Sequence, residues 1–206
     1  MIEVFPATAD RFDAVETVMT PRRGIDAPFC WCLGYRLPNA ENSALSGADR
    51  ADRLRRYAEE GRPPGVVAYL DDEPAGWCSV APRRDHHRLT HSRTIPVVDD
   101  VDVWSVVCFL VRPGFRRQGV AAALLDGAID YAREQGAPML EGYPADVPAG
   151  SRMNVSFAYV GTTHLFEAAG FERVMPTASH SDRLLRWVMR LDLRRAPGDR
   201  GQAASN

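Results

Sequence analysis

Residues 101–138 constrain the fold of this chain more than any other stretch. Residues 101–111 read VDVWSVVCFLV, a nearly continuous apolar run of strand length. Such runs mark a strand covered on both faces of a sheet. A Pro113-Gly114 turn follows. Residues 118–134 then place Ala121, Leu124, Leu125, Ala128, Ile129 and Ala132 on one helical stripe. Gly136-Ala137-Pro138 ends that helix. A buried strand feeding a helix through so short a turn leaves main-chain amides without acceptors where the helix begins. The helix dipole adds partial positive charge at the same point. Together they suit a phosphate or pyrophosphate. Gly119 has no Cβ, so an anion can approach the backbone closely. Arg116 and Arg117 add charge-assisted contacts.

The rest of the chain fits a mixed α/β domain. Residues 2–6 read as a first strand. Residues 8–19 read as a helix with Thr8 as N-cap and Phe12, Val15 and Met19 at helical spacing, stopped by Pro21. Residues 21–46 are irregular, and a loop of that length is functional or hides short helices. Residues 47–60 form a charged helix. Residues 65–70 and 75–80 read as a hairpin around Asp71-Asp72. A basic, histidine-rich excursion spans 83–96. Residues 139–143 form the next strand, 162–169 a short helix stopped by Gly170, and 171–175 and 184–193 the closing strands. The domain is therefore assigned to 1–193, with a mixed sheet of about six to seven strands flanked by helices (α/β, α+β). Residues 194–206 (RRAPGDRGQAASN) have no bulky apolar side chain and read as a disordered tail.

Composition excludes several function classes. All 25 basic residues are arginine, so Schiff-base chemistry and a P-loop lysine are ruled out. A net charge of −2 gives no general reason to bind nucleic acid or an anionic membrane. No run approaches a membrane span and the N-terminus has no signal-peptide pattern, so the expected location is cytoplasmic. The four cysteines are then read as free thiols. Cys30-Trp31-Cys32 is half of a zinc site at most, and no metal is assigned.

Two nucleotide patterns compete at residues 111–123. A dinucleotide fold requires G-x-G-x-x-G after the first strand, and here one glycine follows a mid-chain strand. Arg116 to Ala121 instead matches the acyl-CoA pattern [R/Q]-x-x-G-x-[G/A], preceded by Val111-Arg112-Pro113. On these residues the chain resembles the GNAT acyltransferase superfamily. A second segment, Leu165-Phe166-Glu167-Ala168-Ala169-Gly170-Phe171, is similar to the family's L-Y-E-x-x-G-F. Residues 29–36, with Gly76-Trp77-Cys78 and Glu141-Gly142-Tyr143-Pro144, resemble a bacterial branch carrying an F-C-W-C segment.

The resemblance implies acetyl-CoA as co-substrate. Phe109, Leu110 and Val111 would run beside its pantetheine arm, between central strands splayed apart. The amides of Arg117, Gln118, Gly119, Val120, Ala121 and Ala122 would hold its pyrophosphate, with Arg116 alongside. The implied reaction is acetyl transfer to a primary amine, a small molecule rather than a protein, in a ternary complex. A homodimer is the one self-association considered.

The family pattern fails at two positions. Ser105 stands where many members carry a carboxylate, and Phe166 where they carry the acidic tyrosine. Glu141 and Tyr159 are therefore the candidate catalytic base and acid, against an ion-paired carboxylate and a packed tyrosine respectively. Trp31, Tyr35 and Arg36 are candidate acceptor-site residues, against a hydrophobic plug. Other readings are a non-catalytic acyl-CoA-binding module and a Cys-x-Cys zinc or redox protein.

Overall fold

The computed structural model describes residues 1–27 and 29–194. Residues 195–206, most of the segment assigned to a tail, lie outside the described residues.

Seven strands form one mixed sheet: β1 (Ile2–Pro6), β2 (Gly65–Leu70), β3 (Glu73–Pro82), β4 (Trp104–Val111), β5 (Met139–Gly142), β6 (Glu172–Ser181) and β7 (Leu184–Asp192). Their spatial order is β1-β2-β3-β4-β5-β7-β6, and β4–β5 is the parallel pair. The helices are α1 (Phe12–Met19), α2 (Leu33–Arg36), α3 (Asn39–Ala44), α4 (Gly47–Glu59), α5 (His87–Thr90), α6 (Val120–Glu134) and α7 (Thr163–Ala168). No described helix is long and apolar enough to cross a membrane.

The apolar stripe of α6 buries Leu124, Leu125, Ala128 and Ile129 against one face of the sheet, together with Phe166 of α7. The other face is covered by α1 and by the segment that follows it, through Phe12, Val15, Trp31, Leu33 and Leu54. A strand between two such layers has no solvent-facing side, which is why the run at 104–111 is apolar without alternation.

Local signals set most boundaries. Ser46 accepts from the Asp49 amide while the Asp49 carboxylate accepts from the Ser46 amide, a reciprocal cap that starts α4. Asp71 and Asp72 both take positive φ in the β2–β3 turn, as a two-residue hairpin demands. Other boundaries differ from the sequence reading. Thr8 makes no side-chain cap; a 3₁₀ turn, Ala9–Arg11, precedes the α-helix, and the Thr8 hydroxyl instead accepts from Arg11. The irregular stretch 21–46 contains α2 and α3.

The central strands part where the family resemblance requires it. Ser79 pairs with Cys108 and Val80 with Val106, so Val107 is an extra residue in β4. A bulge of this kind bends its strand. The β4–β5 ladder covers Trp104 to Val106 against Leu140 to Gly142 and then stops. Beyond it, residues 143–145 turn to β7 and to the segment before α7: Trp187 N–H donates to Pro144 O at 3.0 Å, and Thr163 N–H to Ala145 O at 3.0 Å. Phe166 packs beside this point. A Cβ at Gly142 would lie 2.0 Å from its Cε1, so only glycine fits. Among the described residues, the edge of β4 from Val107 to Val111 that faces β5 carries no paired strand.

Candidate active site

The first half of the site is the β4–α6 junction. The first helical-type bond there is Ala123 N–H to Gly119 O, 3.0 Å. Among the described residues, the amides of 117–122 have no acceptor. Arg117 and Gly119 both take positive φ, +62° and +83°. That alternation curls successive amides into a concave anion cradle. Side chains hold its rim: Arg116 Nε donates to Val111 O at 3.3 Å and Gln118 Nε2 to Gly114 O at 3.0 Å. A Cβ at Gly119 would touch nothing nearer than Ile2 Cδ1 at 3.7 Å, so the space before it is open. Phe109, Leu110 and Val111 lead to this cradle along the unpaired edge of β4. The donor-site residues expected from the sequence are thus contiguous.

The second half is the sheet face under α2. At the closed end of the β4–β5 pair, Glu141 is 1% exposed. Its Oε1 accepts from Arg190 Nε at 2.8 Å, and its Oε2 from Arg83 Nη1 at 2.9 Å and the Tyr143 hydroxyl at 2.6 Å. The Ser105 hydroxyl lies 2.9 Å from the same Tyr143 oxygen. Arg190 also holds Asp99. Burial, reinforced by the Glu141 charge, raises the Tyr143 pKa, so Tyr143 keeps its proton. Glu141 is therefore an enclosed counter-ion to two arginines.

At the open end stand Tyr35, Cys108, Tyr159 and Arg186. Tyr159 sits on a 3₁₀ turn, Ala158–Val160, packed against β4. Its hydroxyl is within electrostatic range of Tyr35, Arg186, Arg88 and Cys108. Partial burial raises its pKa, which preserves it as a proton donor. Arg186 is 4% exposed; its Nε donates to Tyr143 O at 2.7 Å, and its Nη1 lies 3.4 Å from the Tyr35 hydroxyl. Arg88 stacks over the Tyr35 ring at 5.4 Å.

The three acceptor-site candidates separate. Tyr35 faces this open end. Trp31 is fully buried, edge-on to Phe29 at 6.5 Å, and so belongs to the plug. Arg36 points the other way, donating to Pro64 O at 2.9 Å and stacking on Tyr57 at 5.1 Å. On a helix as short as α2, adjacent residues diverge by about 100°, which carries Tyr35 and Arg36 to different neighbours. Arg186 and Arg88 were not anticipated. The one signal for Arg186 was its period-2 relation to Val188, which puts both on the same face of β7.

Phe166 is fully buried with its ring 6.0 Å from Phe109 and 4.9 Å from Phe171. It wedges the splayed strands, and a phenol oxygen there would have no polar neighbour among these rings. Cys32 accepts from Trp77 Nε1 at 3.3 Å, and its thiol pKa is raised, chiefly by the Cys108 thiol. Among the described residues no three His, Cys, Asp or Glu side chains converge to hold a metal ion.

His86 is fully buried beside Tyr35 and near the Ser105 backbone, and among the described residues neither ring nitrogen makes a well-formed hydrogen bond. Burial and then the Arg36 charge push its pKa well below 6.5. Unfolded His86 takes a proton below about pH 6.5 that folded His86 refuses, so stability is lost as pH falls. Between about pH 6.5 and 5 this slope approaches about 1.4 kcal/mol per pH unit. Urea unfolding at both pH values checks this; His86→Gln should remove most of the difference, and an unchanged slope would refute the assignment.

The profile of the Acetyltransferase (GNAT) family matches residues 34–149. A search of curated proteins finds no significant match. Many solved structures share the fold. The structure of yncA from Salmonella typhimurium with its cofactor acetyl-CoA aligns at TM-score 0.54 and 16% identity, over 95% of this chain and 96% of that one. The N-acetyltransferase from Staphylococcus aureus Mu50 aligns at 0.52 and 13%, over 94% and 99%. A GCN5-related N-acetyltransferase from Kribbella flavida aligns at 0.49 and 15%, over 85% of this chain but 34% of that one. At these identities the likeness is one of fold.

Proposed function

The chain belongs to the GNAT acetyltransferase family, and from that premise we propose that it transfers an acetyl group from acetyl-CoA to a primary amine of a small molecule. The observation that carries the reading is the run of acceptor-less amides at 117–122, opening beside the unpaired edge of β4.

In this reading the cradle and Arg116 hold the pyrophosphate of acetyl-CoA. The edge of Phe109 to Val111 receives the pantetheine amides like an added strand. The thioester then lies in the gap between β4 and residues 143–145. The amine attacks the carbonyl carbon directly, the C–S bond breaks, and the Tyr159 hydroxyl gives its proton to the departing thiolate. An ordinary alkylammonium is about one part in 10³ neutral at pH 7, a cost of about 4–5 kcal/mol. Arg88 and Arg186 beside the acceptor disfavour the ammonium form, so they reduce this cost by Coulomb repulsion. The amine loses its proton to solvent, and solvent returns one to the Tyr159 phenolate, which restores the acid. Glu141 stays the counter-ion that fixes the closed end of the β4–β5 pair.

Acetyl-CoA titration with CoA release over an amine panel tests this. Tyr159→Phe is expected to lower kcat about 100-fold, the usual size of a general-acid contribution, while acetyl-CoA affinity stays within about threefold. Unchanged turnover would exclude Tyr159 as the acid. Tight acetyl-CoA binding with no release on any amine would describe a binding module instead.

A further inference from the structure

We propose that the amine acceptor also carries a carboxylate, and that Arg186 binds it, with Arg88 at the mouth of the site. The inference rests on the acetyl-transfer reading above and names the substrate class for the same site.

The first argument is charge. Among the described residues, Glu141 is the one buried acid, and it is held by Arg83 and Arg190. Arg186 is more buried than Arg83, 4% against 8% exposed, and among the described residues it meets no carboxylate. A buried guanidinium without a counter-ion is costly, and folds keep one where a ligand supplies the missing charge. The second is hydrogen bonding. The Nε–Tyr143 O bond of 2.7 Å fixes the plane of the guanidinium. Its Nη1 contacts, Tyr35 at 3.4 Å and the Ser179 hydroxyl at 3.3 Å, are longer than good hydrogen bonds. Among the described residues its Nη2 donates to nothing. A guanidinium anchored through Nε with both terminal nitrogens under-used matches the bidentate geometry of a carboxylate.

The third argument is location. Arg186 is bridged across from Ala145, where β5 has left β4. Its side chain reaches the Tyr35 hydroxyl, and its charge is felt at Tyr159, so a group bound there would lie beside the proposed acetyl-transfer position. Arg88 is exposed over Tyr35 and has no acid partner among the described residues. Two cations here repel an acceptor that is only an ammonium and attract one that brings its own carboxylate. Arg36 is also buried without an acid, but its bond to Pro64 O and its stacking on Tyr57 keep it out of this gap.

Matched pairs of probes differing by the carboxylate give the test: phenylalanine and phenethylamine, leucine and 3-methylbutylamine, arginine and agmatine. The expected result is that within each pair that is turned over the amino acid has the higher kcat/KM, by about tenfold or more, the size of a charge-assisted contact. Arg186→Gln should erase that preference while acetyl-CoA affinity is kept. Arg88→Ala, at an exposed position, should raise KM for the amino acid severalfold and shrink its kcat/KM advantage over the matched amine; it keeps the test decisive if Arg186→Gln fails to fold. Equal or better turnover of the decarboxylated amines overturns the inference, as does failure of every amino acid to react while acetyl-CoA binds, or a preference that survives Arg186→Gln. Failure of acetyl-CoA to bind overturns the acetyl-transfer reading itself.

Discussion

Gly119→Val is expected to weaken acetyl-CoA binding by about 100-fold while the chain remains folded. Gly119 sits at φ +83° with open space before its missing Cβ. A valine side chain would fill the concave side of the amide row and hold a pyrophosphate off several N–H donors at once. Losing one or two charge-assisted bonds costs about 2–4 kcal/mol, or roughly 30- to 1000-fold in Kd. The left-handed backbone adds about 1–3 kcal/mol of strain to the folded state. Gly136→Val separates the two effects. Gly136 has φ +75° and open surroundings, and it lies at the far end of α6. It should lower stability similarly and leave acetyl-CoA affinity unchanged. Calorimetric titration of both variants reads the difference. Equal affinity of Gly119→Val and the parent chain would remove the donor site from this junction.

The second large effect is on stability. Glu141→Gln is expected to lower the melting temperature by roughly 10–15 °C. The substitution keeps the shape of the side chain and removes the one buried negative charge among the described residues. Arg83, whose side chain is 9% exposed, is then left without an ion-pair partner among the described residues, because its other acceptors are neutral, the Tyr143 hydroxyl and the carbonyls of Leu89 and Pro96. Arg190 retains Asp99. Breaking a buried pair from one side costs about 3–5 kcal/mol, and each kcal/mol shifts a domain of this size by about 2–4 °C. Thermal unfolding followed by circular dichroism checks it. A variant with parental stability and abolished turnover would return Glu141 to the role of catalytic base.

These two residues show how unevenly the site could be read in advance. The cradle was legible because it is local. Strand, turn, Gly119 and the stripe of α6 are consecutive, and the dihedral and dipole arguments act within one turn of helix. Glu141 could be placed on the strand beside β4, but not its partners. Arg83 and Arg190 lie 58 and 49 residues away along the chain, just past the end of β3 and on β7. No periodicity in the sequence ties them to one carboxylate. Trp31, Tyr35 and Arg36 were placed together because they are near in sequence. The αL backbone of Trp31 and Cys32 (φ 48° and 55°) and the single turn of α2 send them to three different surroundings.

The sequence by itself determined the mixed α/β class, the order of the strands, and the strand–turn–helix with its row of free amides at the β4–α6 junction. Patterns of burial and unpaired amides over a few residues are enough to specify those. Only the tertiary structure decided the acceptor side. Sheet order β4-β5-β7 and the packing of α2 against α5 bring Arg186 beside Tyr35, with Arg88 over the Tyr35 ring and Tyr159 nearby. They also leave the buried Glu141 to Arg83 and Arg190 and give Arg186 no acid. The reason is that charge pairing in a protein interior depends on distance through space, which a strand register sets to within an ångström and a sequence separation does not.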